Sequence, residues 1–458
     1  MRMMNTFLWI LLCAVEIVLA GIGVFKRANK RGWLFGRLLT NLGELLLFLV
    51  MLLAPGVDLG FRFTSLFILL LLRLTITLIS FLIKRNKLQG NKRISVMILS
   101  AVLGVVLITV SMLPSFIFTD YAGLPTTGEF QVASTKAILT DKSRTEEFET
   151  DGSNREVPIY LYYPQDAKEN KAYPLVLFSH GAFGYYESNT STYMELASHG
   201  YVVVSMDHPY HSFFTQDTDG KTVTVNPEMI QGIQYINSEA ATQEQIFELS
   251  SQWLKLRRGD LNFVIDSVKT AADKGLDPEE WCVTDGEEAN ILQALGLVDL
   301  NKIGVMGHSL GGAAAVSLGR EREDIDAVID LDGTMLGEEL GVQDGVELIN
   351  QEVYEVPLLS FDNEEHHFAR IECREKGIPY ANNTVLEHAA KGYSTYIKGT
   401  GHMNYTDLPL FSPALASMLG TGEIDSTHCI TTMNEIVLTF FDCYLKDAGT
   451  FSVQESYE

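Results

Sequence analysis

Residues Gly307 to Gly312 read G-H-S-L-G-G, a G-x-S-x-G run set between the strand-like K-I-G-V-M and the helical A-A-A-V-S-L. Small residues at Gly307 and Gly311 let the chain turn sharply, which pushes the Ser309 hydroxyl out at the carboxyl edge of a sheet. The helix that begins there aims free N–H groups at developing negative charge. A serine hydroxyl becomes a useful nucleophile only when a base takes its proton. The motif therefore calls for a histidine, and for a carboxylate that orients it. The implied chemistry is acyl transfer through a covalent serine intermediate.

Ten histidines are available. His308 lies inside the elbow, and His180 belongs to H-G-A-F-G, residues 180 to 184. His199, His208 and His211 precede the serine, against the chain order Ser, acid, His. His366, His367, His388 and His428 have no strand leading directly into them. His402, in G-T-G-H-M-N-Y, follows a strand-like run and precedes the last helix, where the base of such a fold belongs. For the acid, Asp332 closes D-A-V-I-D-L-D and is followed by Gly333, so it can project beside Ser309. Asp330 on the same strand face is deeper and reads as structural. Asp362, at the end of the next strand, is the competing acid. A tetrahedral intermediate needs two donors, and the backbone N–H groups of Leu310 and Ala182 are the candidates.

No cofactor or metal is expected. D-T-D-G, residues 217 to 220, resembles part of a calcium loop but lacks the first ligand and the closing Glu. The five cysteines form no C-x-x-C pair, so Cys282, Cys373, Cys429 and Cys443 read as buried free thiols; one disulfide stays open for a domain outside the cell.

The elements that must position these groups follow from patterning. Apolar runs at 156–164, 174–180, 201–207, 302–308, 326–332, 356–362 and 394–400 alternate with amphipathic stretches. That alternation predicts an α/β domain over 128–458 with a mostly parallel sheet flanked by helices. A covering segment is expected at about 213–298, a closing helix at 432–446 and a short linker at 119–127.

Ahead of this domain the composition changes. The net charge of -24 divides into 13 Lys/Arg against 3 Asp/Glu before residue 119, and 21 against 55 after it. The acidic part disfavours nucleic acid, whose binding needs cations on phosphates. The basic part holds four apolar runs, about 6–25, 38–57, 63–83 and 94–118. Each reaches the ~20 residues needed to cross a bilayer, so 1–118 reads as a four-helix transmembrane region. Lys26, Arg27, Lys30, Arg31 and Arg37 lie between the first two runs, and Lys84, Arg85, Lys87, Lys92 and Arg93 between the last two. Basic loops stay cytoplasmic. Both termini and the large domain are therefore expected outside, on the plasma membrane. A cleaved signal peptide fits less well, because the first basic cluster follows its apolar run. Arg73 should pair with Glu44 or Glu16 inside the bundle.

Taken in order, S-H-G-A-F-G, L-A-S-H-G-Y-V-V-V-S-M-D-H, D-L-N-K-I-G-V-M-G-H-S-L-G-G, I-D-L-D-G and G-T-G-H-M-N-Y resemble the platelet-activating-factor acetylhydrolase family of α/β-hydrolases, of the plasma and intracellular type-II kind. The resemblance covers roughly residues 128 to 447. In that family the acid follows the strand after the nucleophile helix, which favours Asp332 over Asp362. The resemblance implies calcium-independent hydrolysis of short or oxidised acyl esters of phospholipids. The four-span region departs from the family pattern, so ester chemistry is implied more firmly than a phospholipid substrate. A polyester hydrolase, another carboxylesterase and a peptidase are the enzymatic alternatives. A membrane protein whose hydrolase-like domain only binds a ligand is the non-catalytic one.

Overall fold

The computed structural model describes residues 2–54, 56–167, 172–238, 240–284 and 286–458. The chain divides into two compact units, Met1–Ala122 with Leu410–Leu415, and Gly123–Pro409 with Ala416–Glu458.

The first unit is built on four helices, α1 (Arg2–Phe25), α2 (Lys30–Met51), α3 (Phe61–Lys84) and α4 (Ile94–Ile117). All four are long and apolar enough to cross a membrane. Helix α2 starts earlier than the apolar run of 38–57 and stops sooner. Asn29 caps it, its side-chain oxygen accepting from Gly32 N at 2.7 Å, and Gly56 beyond its end has φ +83°. Lys30, Arg31 and Arg37 thus belong to the helix instead of a loop. The consequence is electrostatic. Arg73 pairs with both expected carboxylates, Glu16 and, at 3.2 Å, Glu44, while Arg37 also reaches Glu16. Two acids and two bases cancel among apolar side chains, where a lone charge would be costly.

The second unit carries a ten-stranded sheet with helices packed on it. Its elements begin with β1 (Val132–Thr145), β2 (Asn154–Pro164), β3 (Tyr173–Ser179), α5 (Thr190–Ser198) and β4 (Val202–Met206). The covering stretch holds β5 (Phe214–Gln216), β6 (Thr222–Thr224), α6 (Pro227–Ile236), α7 (Gln243–Lys274), β7 (Trp281–Val283) and α8 (Glu288–Leu295). Then come β8 (Val298–His308), α9 (Leu310–Glu321), β9 (Ala327–Leu331), β10 (Glu339–Gln343), β11 (Val346–Ile349), β12 (Leu358–Asp362), α10 (Glu364–Lys376) and α11 (Ala381–His388). The chain closes with β13 (Gly392–Ile397), then α12 (Leu408–Phe411) and α13 (Pro413–Met418), whose residues Leu410–Leu415 belong to the first unit, then α14 (Ser426–Leu445) and β14 (Ser456–Tyr457).

The sheet order is β14-β13-β12-β9-β8-β3-β4-β2-β1-β7. From β14 to β4 every pairing is parallel, and β2, β1 and β7 add antiparallel edge strands. Strands β3, β4, β9 and β12 are buried at every residue, as central parallel strands covered on both faces must be. Strand β1 was not anticipated. Its Ser, Thr, Lys and Asp dilute the apolar alternation, and pairing with β2 holds it in place. Helix α7 starts at a reciprocal Thr242–Gln245 capping box and buries Leu254, Leu261, Val264 and Val268 in the core. None of the five cysteines is paired, but of the four expected to be buried only Cys429 is: Cys373 and Cys443 are half-buried, and Cys282 is exposed on the edge strand β7.

Candidate active site

The pairings that order the sheet also gather the candidate residues. Gly307 on β8 is in register with Ser179 on β3 and with Asp330 on β9. The carboxyl ends of three adjacent strands therefore deliver the elbow, the H-G-A-F-G loop and Asp332 to one edge.

Ser309 sits at φ +55°, ψ −123°, immediately before α9. That conformation is costly for a side-chain-bearing residue and persists because its surroundings enforce it. Ser309 N donates to Leu331 O at 2.9 Å, and a Cβ on Gly307 would collide with Gly311. A Cβ on Gly311 would in turn strike the carbonyls ending β3. The two glycines flanking the elbow are thus demanded by close backbone approach.

The H-G-A-F-G loop passes directly over the serine: a Cβ on Gly181 would lie 3.3 Å from Ser309 Cβ and 2.7 Å from His308 Nδ1. Phe183 N donates to His211 O at 3.2 Å and Gly184 N to Gly181 O at 3.1 Å. Ala182 N–H keeps no protein acceptor among the described residues. Leu310 N–H, the first of α9, has no intrahelical acceptor either. These two are the expected oxyanion donors.

Asp332, also at positive φ (+55°), is anchored by its N–H to Phe361 O at 2.8 Å. Its carboxylate accepts four hydrogen bonds. Oδ1 takes Asn363 N at 2.7 Å and His366 Nδ1 at 2.8 Å; Oδ2 takes Asn363 Nδ2 at 2.7 Å and His402 Nδ1 at 2.6 Å. Burial alone would push this carboxyl up, but the two histidine hydrogen bonds outweigh it and hold Asp332 well below the usual carboxylate range. It is an anion facing His402. Asp362 is engaged elsewhere, 3.1 Å from Arg370 Nε. Asp330 is fully buried and accepts from Gly333 N at 2.9 Å; burial, with Asp362 and Asp332 nearby, pushes its carboxyl well up.

His402 begins a short 3-10 turn after β13. Its carbonyl accepts from His308 Nε2 at 3.0 Å, and the two rings lie 4.6 Å apart. Burial, then the neighbouring His402, pushes His308 down to about 3, so it stays neutral and donates. The carboxylate–imidazole half of the constellation is closed. Ser309 Oγ makes no side-chain capping bond to α9, and no hydrogen bond joins it to His402 among the described residues; such bonds commonly tighten only with substrate.

Three participants escaped the sequence reading. Asn363 caps α10, its Oδ1 accepting from His366 N at 2.9 Å, and so ties that helix start to Asp332. His366 shares the Asp332 carboxylate. Arg257, fully buried on α7, donates to the carbonyl of His180 and to that of Gly181 at 3.2 Å. Beneath that loop runs a second serine–histidine–aspartate chain, with Ser179 Oγ 2.9 Å from His208 Nε2 and His208 Nδ1 2.9 Å from Asp260. It is wholly buried and fixed by Arg155 and Arg144 on Asp260 at 2.8 and 2.9 Å, so it serves as scaffold. The only signal for α10 was the S/T/N-x-x pattern of an N-cap at Asn363; nothing local marked Arg257.

Asp332, His366 and His402 bring three metal-ligating atoms within 4.8 Å of one another. Both Nδ1 atoms face the carboxylate at hydrogen-bond length, 2.8 Å for His366 and 2.6 Å for His402.

The model of the family described as platelet-activating factor acetylhydrolase, isoform II, matches residues 126–455. Among curated relatives, the platelet-activating factor acetylhydrolase of Gallus gallus is 25% identical over 306 residues, 63% of this chain and 66% of the relative. That of Cavia porcellus is 24% identical over 295 residues, covering 61% and 59%. That of Bos taurus is 22% identical over 288 residues, covering 61% and 58%. The matches therefore span about three fifths of these relatives' length. A ferulic acid esterase from Streptomyces cinnamoneus shares the fold at a TM-score of 0.50 and 19% identity, over 71% of this chain and 93% of that one. With the family model matching well over half of its residues, the chain belongs to the platelet-activating factor acetylhydrolase isoform II family of α/β-hydrolases.

Proposed function

We propose that this protein is a membrane-anchored serine esterase that cleaves short-chain acyl esters, with lipid esters as its natural substrates. His402 takes the Ser309 proton as Ser309 Oγ attacks the ester carbonyl carbon. Asp332 holds His402 in the tautomer that leaves Nε2 free, and stabilises the imidazolium as it forms. The N–H groups of Ala182 and Leu310 receive the oxyanion. The alcohol leaves with the proton from His402, and water, activated by the same base, releases the acyl group.

The observation that carries this reading is the 2.6 Å contact between Asp332 and His402 at the sheet edge that also presents the Ser309 elbow. The substrate class follows from family membership and from charge. A strongly acidic domain is repelled by anionic surfaces, which favours a neutral or zwitterionic ester. The four apolar helices act as the anchor. Basic residues at the α1–α2 and α3–α4 junctions put those ends in the cytoplasm and the catalytic domain outside.

Ser309→Ala should abolish turnover of p-nitrophenyl acetate and covalent labelling by a fluorophosphonate while the protein stays folded. Undiminished turnover would refute the assignment. Labelling also separates the enzyme from a ligand-binding relative, which needs no activated serine.

A further inference from the structure

The carboxylate of an ionised Asp offers about four acceptor positions. Asp332 fills all four, two with Asn363, one with His402 and one with His366. A carboxylate that only had to orient one base would have no need of a second imidazole. Both rings are half-buried, His366 at 42% and His402 at 32% side-chain accessibility, whereas Asp332 is sealed. The His366 and His402 rings stand edge to face with centroids 6.1 Å apart. Two proton-binding rings therefore share one buried negative charge.

We propose that His366 is a positioning residue of the catalytic site that lowers the proton affinity of His402 and so keeps the base active at lower pH. This rests on the triad reading above. While neutral, His366 donates through Nδ1 and draws part of the Asp332 charge that would otherwise stabilise the His402 imidazolium. Once His366 is protonated it takes that charge more fully, and a second imidazolium beside it is disfavoured by like-charge repulsion.

The surroundings fit this role. Asp332 at the end of β9 faces His366 directly, Asp362 at the end of β12 adds its charge although Arg370 lies 3.1 Å from it, Glu365 lies on the same helix, and His402 approaches from the loop after β13. The hydrogen bond to Asp332, only partly offset by burial, raises the His366 pKa above its ordinary value. His308, on the other side of His402, stays neutral and takes no part in the titration.

The experiment compares the full-length protein in detergent with His366→Phe and His366→Gln. Phe removes the donor and the charge, and Gln can supply a donor but never a charge. The acid limb of kcat/KM for p-nitrophenyl acetate should move up by about one pH unit in His366→Phe. His366→Gln should move it in the same direction, and KM at pH 8 should change little in either. An unmoved acid limb in both variants, with only thermal stability reduced, would make His366 a structural residue and overturn the proposal. If both variants fail to fold, imidazole ¹⁵N titration of the unaltered protein decides: two coupled steps support it, and independent titration of His366 and His402 overturns it. Fluorophosphonate labelling at pH 8 keeps the two readings apart. A labelled protein with an unmoved limb fails only the His366 proposal, whereas an unlabelled parent protein fails the triad and this inference with it.

Discussion

At the scale of single residues, the choice between two acids is decided by what surrounds each carboxylate. Asp332 is encircled by donors and faces His402, whereas Asp362 lies against Arg370. Asp332→Asn should lower kcat by roughly 10⁴-fold, because an amide favours the wrong imidazole tautomer. Asp362→Asn should leave kcat within a few-fold and show its effect as a lower melting temperature, since Arg370 loses its counter-ion; a steady-state assay paired with a thermal melt checks both. Chain order and strand ends singled out Ser309 and His402 as candidates and left Asp362 competing with Asp332. They could not reveal Asn363 and His366, whose roles come from the turn of a helix that starts beyond β12 and lays its first residues on a carboxylate of a neighbouring strand.

At the scale of elements, the H-G-A-F-G loop, proposed to supply an oxyanion donor, depends on a helix far from it in sequence. Arg257 of α7 grips the carbonyls of His180 and Gly181, which fixes the plane of the peptides beside Ala182. Arg257→Met should leave those carbonyls buried and unpartnered and lower kcat by about 10- to 1000-fold, up to the effect of losing one oxyanion donor. A trifluoromethyl ketone inhibitor, which mimics the tetrahedral state, should weaken in proportion while KM changes little. Equal losses in kcat/KM and in ground-state binding would instead indicate general collapse. The underlying network also carries a pH signature. Burial would raise the Asp260 carboxyl, but Arg155 and His208 hold it well below its ordinary value. A lowered folded-state pKa contributes stability that is present above the unfolded carboxylate range, near pH 4, and is lost as pH falls through the folded value. Asp260→Asn should therefore destabilise the protein at pH 7 and narrow its advantage over the variant on acidification, as read by denaturant melts. The stretch of about 213–298 was expected as a covering segment, but its contact with the H-G-A-F-G loop was not, because local patterning does not tell which loop a helix meets.

For the molecule as a whole, the charge division separates a basic unit of four long apolar helices from an acidic unit that carries the candidate site. Within the helical unit, Arg73→Leu would leave Glu16 and Glu44 short of a partner, and breaking a buried pair typically costs about 3–5 kcal/mol. A lower melting temperature in detergent, with esterase kinetics of the surviving folded fraction unchanged, is the expected result. Protease added to intact cells should reach the large domain; full protection would reverse the assigned orientation. The sequence by itself determined the α/β succession, the four apolar helices, the nucleophile elbow and the candidate base, because each is written in local spacing that backbone geometry alone interprets. Only the tertiary structure decided which carboxylate meets His402, that a second histidine shares it, that Arg257 steadies the oxyanion loop and that Arg37 joins the buried ion cluster. Those outcomes depend on contacts between residues 21 to 77 positions apart, and no local pattern encodes which partners the folded sheet and bundle bring within hydrogen-bond reach.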